Sequence, residues 1–151
     1  MLVLLFETTD GRYAIEARHI VEVVPFVNLK KIPKAREAVA GLANYRGRPV
    51  PVIDLNILLE GTASEPLIST RILIIKSPFA AADSTTLLGL VVPRAMETFR
   101  SKEKRQPGGV LMDEDLYNGA IASDAKGMVQ IVDLPRLLPK EELADLLQYG
   151  E

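Results

Sequence analysis

The apolar phrase "VPVIDLNILL", Val50 to Leu59, returns without a gap as "VQIVDLPRLL", Val129 to Leu138, with Asp54 falling on Asp133. A second, looser correspondence lies upstream of each copy. "AIEARHIVEV" from Ala14 matches "LVVPRAMETF" from Leu90 in its apolar spacing, so that Ile15 falls on Val91, Ile20 on Met96 and Val23 on Phe99. The two correspondences have nearly the same spacing, and a near-constant internal period marks related structural units. The chain is therefore expected to fold as two similar halves. A half of about 70 residues is the size of a five-stranded SH3-like barrel.

Local signals fill these halves with strands. "LVLLFET", then Asp10-Gly11, then "RYAIEA" reads as a hairpin, because Asp-Gly accepts the positive φ of a tight type I′ turn. "HIVEVV", "TRILIIK", "LLGLVVP" and "GMVQIVD" read as further strands. In "RPVPVID", Pro49 and Pro51 cannot donate to a ladder, which places this strand at a sheet edge unless only its alternate residues donate. "PKAREAVAG", from Pro33 to Gly41, reads as a short internal helix. "PKEELADLLQYG" reads as a C-terminal helix over 139–149. Pro139 stands in its first turn with Glu141 and Glu142 behind it, Leu143, Leu146 and Leu147 share a face, and Gly150 ends it. "SPFAAADSTT" reads as a loop at a hairpin tip and "FRSKEKRQPGG" as a charged, solvated excursion. Many short strands with proline- and glycine-marked turns predict an all-β domain rather than a parallel α/β sheet.

Composition narrows the chemistry. A net charge of −2 over 151 residues leaves no basic footprint for nucleic acid. The absence of cysteine excludes disulfides, thiolate chemistry and cysteine-based zinc sites, and suits a reducing cytoplasm. The opening run "MLVLLF" is too short to span a membrane and reads as a first strand, so no direct membrane insertion is expected. Two symmetric aspartates suggest the shared-proton dyad of aspartic proteases. That chemistry needs a glycine-bearing turn after each aspartate, whereas Asp54 is followed by Leu55-Asn56 and Asp133 by Leu134-Pro135. Both read better as N-caps of the short helical stretches that follow, each worth about 1 kcal/mol. His19, the single histidine, lies in a strand pattern with no second histidine and no serine motif around it. No phosphate-binding glycine loop, metal-binding helix motif or calcium loop is present, so neither catalytic residue, cofactor nor metal is expected.

One stretch is more specific than the rest. "GLANYRGRPVPVIDL", Gly41 to Leu55, resembles the signature of the CheW-like family of bacterial chemotaxis coupling proteins, with Asn44, Arg46, Gly47, Pro51, Asp54 and Leu55 all matching. The resemblance extends to "FETTDGRYAIEARHIVEVV", "LLGLVVPRAMETF" and "YNGAIASDAKGMVQIVDLPRLL". It implies one domain over 1–151 made of two SH3-like five-stranded barrels, with subdomains near 13–67 and 68–138. It allows a strand over 1–9 to be shared with the other half. It also implies a cytoplasmic adaptor or scaffold without catalytic activity. Such a protein links the cytoplasmic tip of a methyl-accepting chemoreceptor, docked in a groove between the barrels, to a CheA-type histidine kinase through its regulatory domain. Twitching-motility and surface-sensing pathways are alternatives to chemotaxis, and a small aspartate hydrolase is the competing class. Arg46 and Tyr45, with Ile20 and Glu22 on one face of the strand before them, are the candidate partner contacts. Val91 and Met96 are groove candidates from the second half, and Asn44, Gly47, Asp54 and Asp133 are structural. Tyr45 stands where leucine is usual and Pro93 where an acidic residue is common, which marks both as departures.

Overall fold

The computed structural model describes residues 2–79, 86–100, 121–124, 127–141 and 143. Its strands are β1 (Leu2–Glu7), β2 (Arg12–Glu16), β3 (Ile20–Pro25), β4 (Val39–Tyr45), β5 (Arg48–Asp54), β6 (Arg71–Lys76), β7 (Leu87–Val92), β8 (Ala95–Arg100), β9 (Ile121–Asp124) and β10 (Gly127–Ile131). A 3₁₀ turn over Ala17–His19 joins β2 to β3, α1 (Leu55–Glu60) follows β5, and α2 (Leu134–Leu137) follows β10. They form two five-stranded sheets, ordered β8-β1-β2-β10-β9 and β3-β6-β7-β5-β4. These are the expected two SH3-like barrels of an all-β protein. We call the first sheet barrel A and the second barrel B.

Read in those orders, both sheets pair antiparallel, antiparallel, parallel, antiparallel. The internal repeat lands on this symmetry. The matched phrases place β5 on β10, β2 on β7 and β3 on β8, and each of these pairs occupies the same position in its sheet. The sheets do not divide the chain at 67/68. β6 and β7 lie beyond that cut yet complete the sheet of β3–β5, while β1 and β2 both join β8–β10. Each sheet contains one parallel pair, β5 with β7 and β10 with β2. A parallel partner must be reached by a crossover, and here barrel A takes its partner strand from the opposite end of the chain.

The continuous apolar runs follow from double burial, as expected of strands covered on both faces. Val3 and Leu5 of β1 face the interior of barrel A with Ala14, Val129 and Ile131, whereas Leu4 and Phe6 face a core between the barrels. In barrel B, Ile72 and Ile74 pack inside with Val50, Val52 and Val91, while Leu73 and Ile75 join the shared core. Burying a side chain of this size is worth about 1.5–3 kcal/mol, so the shared core fixes the barrels together rather than leaving them as beads on a linker. Leu134, Leu138 and Leu143 cap that core.

Two local expectations are corrected, and a choice left open at β5 is resolved. The stretch from Pro33 to Gly41 forms turns and then the start of β4 at Val39, not a helix. Gly41 is not a helix stop: its φ of 141° and the 2.5 Å that a Cβ would leave to the Lys30 carbonyl show that only glycine lets β4 pass the Lys30 backbone. There Lys30 and Leu42 exchange backbone hydrogen bonds of 2.9 and 2.7 Å. The Asp10-Gly11 turn is not a two-residue type I′ turn. The last β1–β2 pair is Glu7 with Arg12, and the four-residue loop is held by Thr8, whose hydroxyl accepts from Gly11 N at 3.0 Å. Of the two readings of β5, donation from alternate residues is the one found, in an interior strand. Tyr45 and Arg48 flank the two-residue turn, so Asn44–Pro49 and Leu42–Pro51 are the non-hydrogen-bonded pairs of the β4–β5 ladder, where no amide is required. On the other side, pairing with β7 begins only at Val52.

At the C-terminus, Lys140, Glu141 and Leu143 are helical, and Leu143 N donates to Pro139 O at 3.0 Å. The rest of the helix expected over 139–149 lies outside the described residues, as do most of "SPFAAADSTT" and of "FRSKEKRQPGG". No helix among the described residues is long and apolar enough to cross a membrane.

Candidate functional site

The β4–β5 hairpin carries the most specific sequence motif, and its geometry explains the residue types. The turn is Arg46-Gly47, and both residues have positive φ, 50° and 83°. That is the requirement of a type I′ turn, which matches the twist of the flanking strands. Gly47 meets it without strain. Arg46 is held there by its surroundings: Asn44 Oδ1 accepts from Gly47 N at 3.0 Å and pins the turn from below. The motif Asn-Tyr-Arg-Gly is thus a device for holding one arginine at the tip of a rigid hairpin.

Three of the candidate contact residues meet around one oxygen. Glu22 on β3 accepts at Oε1 from the Tyr45 hydroxyl at 2.8 Å and from Arg46 Nη2 at 2.7 Å. The Arg46 guanidinium also lies 5.4 Å from the centre of the Tyr45 ring. β3 and β4 are the two outer strands of barrel B's sheet, so the cluster joins its edges through side chains. The hydrogen bond from Tyr45, with help from Arg46, holds the Glu22 carboxyl below the usual carboxylate range. The same bond pushes the Tyr45 hydroxyl above the usual phenol value. The Arg46 side chain remains 74% exposed.

The other candidates divide. Ile20 is half-buried and packs on the shared core, opposite Ile75. A register shift between Ile20 and Glu22 sets Glu22 opposite Ile74, which belongs to the interior of barrel B. The expected common face for Ile20 and Glu22 is therefore overturned by a β-bulge, which resets the alternation. Val91 is 1% exposed inside barrel B and lines no groove, because β7 is covered on both faces. Met96 lies on β8, and its side chain falls outside what the structure describes.

Sequence reasoning missed Val21 and Val23. They are 50% and 42% exposed on either side of Glu22. Val23 stands opposite Leu73, a residue of the shared core, so its side chain lies on the face of barrel B that turns toward barrel A. The signal was present in "IVEVV": an edge strand that is apolar on both faces leaves one apolar face uncovered.

The two aspartates differ. Asp54 is buried, and both its oxygens accept: Oδ1 from Asn56 N at 3.0 Å and Ser64 Oγ at 2.7 Å, Oδ2 from Ser64 N at 2.8 Å. Asp133 occupies the N-cap position of α2 but makes no side-chain capping bond, so the expected cap is not formed there. Among the described residues no hydrogen bond or ion pair joins Asp54 to Asp133, and three of the roughly four acceptor sites of the Asp54 carboxylate are taken by its own corner. His19 lies 3.8 Å from the buried carboxylate of Glu16 in the turn between the barrels. No group of three or more metal-ligating side chains occurs among the described residues.

Comparison with known proteins agrees with this geometry. The family model described as the CheW-like domain matches residues 2–142. The chain is 26% identical to the chemotaxis protein CheW of Bacillus subtilis over 141 residues, covering 91% of this chain and 86% of that protein. It is 28% identical to the chemotaxis protein CheW of Thermotoga maritima over 128 residues, covering 85% and 76%. Among solved structures, the scaffolding protein TtCheW from Thermoanaerobacter tengcongensis shares the fold with a TM-score of 0.75 at 24% identity, covering 91% of this chain and 87% of that one.

Proposed function

This chain belongs to the CheW-like domain family, and from that premise we propose that it is a non-enzymatic coupling protein of a bacterial chemosensory system. In this reading it works in the cytoplasm and joins the helical tip of a chemoreceptor to the regulatory domain of a CheA-type histidine kinase. The observation that carries the reading is the family match across both barrels, 2–142. The site adds physical support. A rigid hairpin presents an exposed arginine, and arginine is enriched among the residues that dominate protein–protein affinity. Val21 and Val23 add exposed apolar surface on the same strand as Glu22, with Val23 on the face turned toward the junction of the barrels. A single micromolar contact of this kind is worth about 8 kcal/mol, and repetition across an array supplies the remaining strength. The buried, triply bonded Asp54 argues against the hydrolase alternative.

The test is titration of the full chain with a CheA-type kinase regulatory domain and a chemoreceptor signalling fragment from the same organism. Micromolar binding to each is expected. Binding to neither overturns the reading.

A further inference from the structure

At the end of barrel B away from Arg46, a cleft of about 290 Å³ opens between the barrels. The strands place it there. β5 runs from the turn before Arg48 to α1, and β7 runs parallel beside it to Val92. Glu7 and Thr8 line the cleft from barrel A, Ser64 and Glu65 line it from the loop after α1, and Arg94 stands at the corner where the chain crosses from β7 to β8. Asn56 of α1 also lines it. Three features of this cleft point to a ligand. The first is strain. Arg94 has a φ of 43°, which a glycine meets freely and an arginine does not. The corner is pinned from both barrels: the Arg94 carbonyl accepts from Glu7 N at 3.4 Å, and Ala95 N donates to Ser69 O at 2.9 Å. Strain of this kind persists only where neighbours enforce it, and it concentrates at ligand clamps. The second is charge. Arg94 and Glu65 are both exposed, and neither forms an ion pair among the described residues. The cleft therefore holds a cation and a carboxylate that are not spent on each other. The third is an orphan acceptor. Asn56 is only 6% exposed, and its Nδ2 donates to Thr62 O at 2.7 Å and to Thr62 Oγ1 at 3.1 Å, but its Oδ1 has no donor among the described residues. A buried acceptor left unpaired is costly, and native ones call for a partner.

We propose that this cleft binds a compact zwitterion, of which a free α-amino acid is the simplest form. Arg94 takes the carboxylate through its planar fork, and Glu65 takes the ammonium. Glu7, held by Arg12 at 3.9 Å, adds a second negative charge to the lining. A bare anion meets those two carboxylates and a bare amine meets Arg94, so only a molecule carrying both charges is matched. A hydroxyl or amide on the ligand gives Asn56 Oδ1 the donor it lacks. The volume lies just under the roughly 300 Å³ at which small-molecule sites begin, which selects a short side chain. Because the lining comes from both barrels, an occupant ties them together and favours the folded chain by mass action. The inference goes beyond the coupling reading and does not depend on it.

The experiment titrates the full chain with L-serine, acetate, ethanolamine and inorganic phosphate, followed by calorimetry, by melting temperature and by NMR of the backbone amides. L-Serine is expected to bind with a Kd on the order of 1 mM or tighter and to raise the melting temperature as it saturates the site. The three singly charged or purely anionic probes should bind at least about tenfold more weakly. The serine-induced shifts should centre on Thr8, Ser64, Glu65 and Arg94. Arg94→Gly should lose at least about tenfold in serine affinity, while its unliganded melting temperature holds or rises, because glycine accepts the positive φ. Glu65→Gln should weaken serine and leave acetate unchanged. Four results overturn the inference: L-serine shows no binding up to about 10 mM; acetate or phosphate binds as tightly as serine, which makes the cleft an anion site only; the shifts map elsewhere; or Arg94→Gly keeps the wild-type affinity or melts at a lower temperature.

Discussion

The β4–β5 pair of barrel B and the β9–β10 pair of barrel A share one strand pairing and differ in content. In the first, Tyr45 pairs with Arg48 across a two-residue turn; in the second, Asp124 pairs with Gly127. Each is followed by a strand, an aspartate at the N-cap and a short helix. Yet barrel B carries Asn-Tyr-Arg-Gly-Arg where barrel A carries Ser-Asp-Ala-Lys-Gly. Downstream, Asp54 takes three hydrogen bonds while Asp133 makes no capping bond. Duplicated topology therefore does not imply duplicated function. Barrel B has been given both the reinforced corner and the armed turn.

The largest expected effect separates the corners. Asp54→Ala strands the Ser64 and Asn56 amides in a buried setting and should cost about 3 kcal/mol, a fall of roughly 10 °C in melting temperature. Asp133→Ala should cost no more than about 0.5 kcal/mol. Equal losses in a thermal melt would erase the difference between the corners. Next is the turn. Gly47→Ala forces a side chain into positive φ and should cost about 1–2 kcal/mol by chemical denaturation. Asn44→Ala, which releases the Gly47 amide, should cost about 1 kcal/mol.

The smallest effect is in proton binding. Glu22 has a lowered pKa, so its contribution is present above the ordinary carboxylate range and is lost as pH falls through the lowered value. Tyr45 has a raised pKa, so its contribution is present below the ordinary phenol value and is lost as pH rises through the raised one. The cluster should be unaffected between these limits. In an NMR titration, Tyr45→Phe should move the Glu22 midpoint back toward the ordinary carboxylate value, and an unmoved midpoint would deny the shared oxygen.

Much of this architecture is legible in the sequence. The repeated Asp-Leu phrase locates β5 and β10, and the looser match locates β2 with β7 and β3 with β8. What the sequence hides are choices made between segments. Nothing local to β1 and β2 says that they leave their neighbours and complete barrel A. The run from Pro33 to Gly41 has a helix's punctuation, but pairing of Lys30 with Leu42 holds it as turns and the start of β4. Val91 sits in a pattern that suits a groove wall equally well, until parallel pairing with Asp54 and burial inside barrel B remove it. Of the site, the motif from Gly41 to Leu55 was legible through its resemblance, but the hairpin was not, because the helix reading of Pro33 to Gly41 covered the start of β4. The meeting of Tyr45 and Arg46 with Glu22 was not, because more than twenty residues separate them along the chain.

The central claim is that the barrel B turn carries a partner contact that barrel A lacks. Its most direct test is receptor-fragment affinity for Arg46→Gln beside Asp124→Asn, the residue of barrel A equivalent to Tyr45. A loss of at least about tenfold for Arg46→Gln is expected, with Asp124→Asn indistinguishable from wild type. Unchanged affinity for Arg46→Gln, or an equal loss in both variants, would contradict the account.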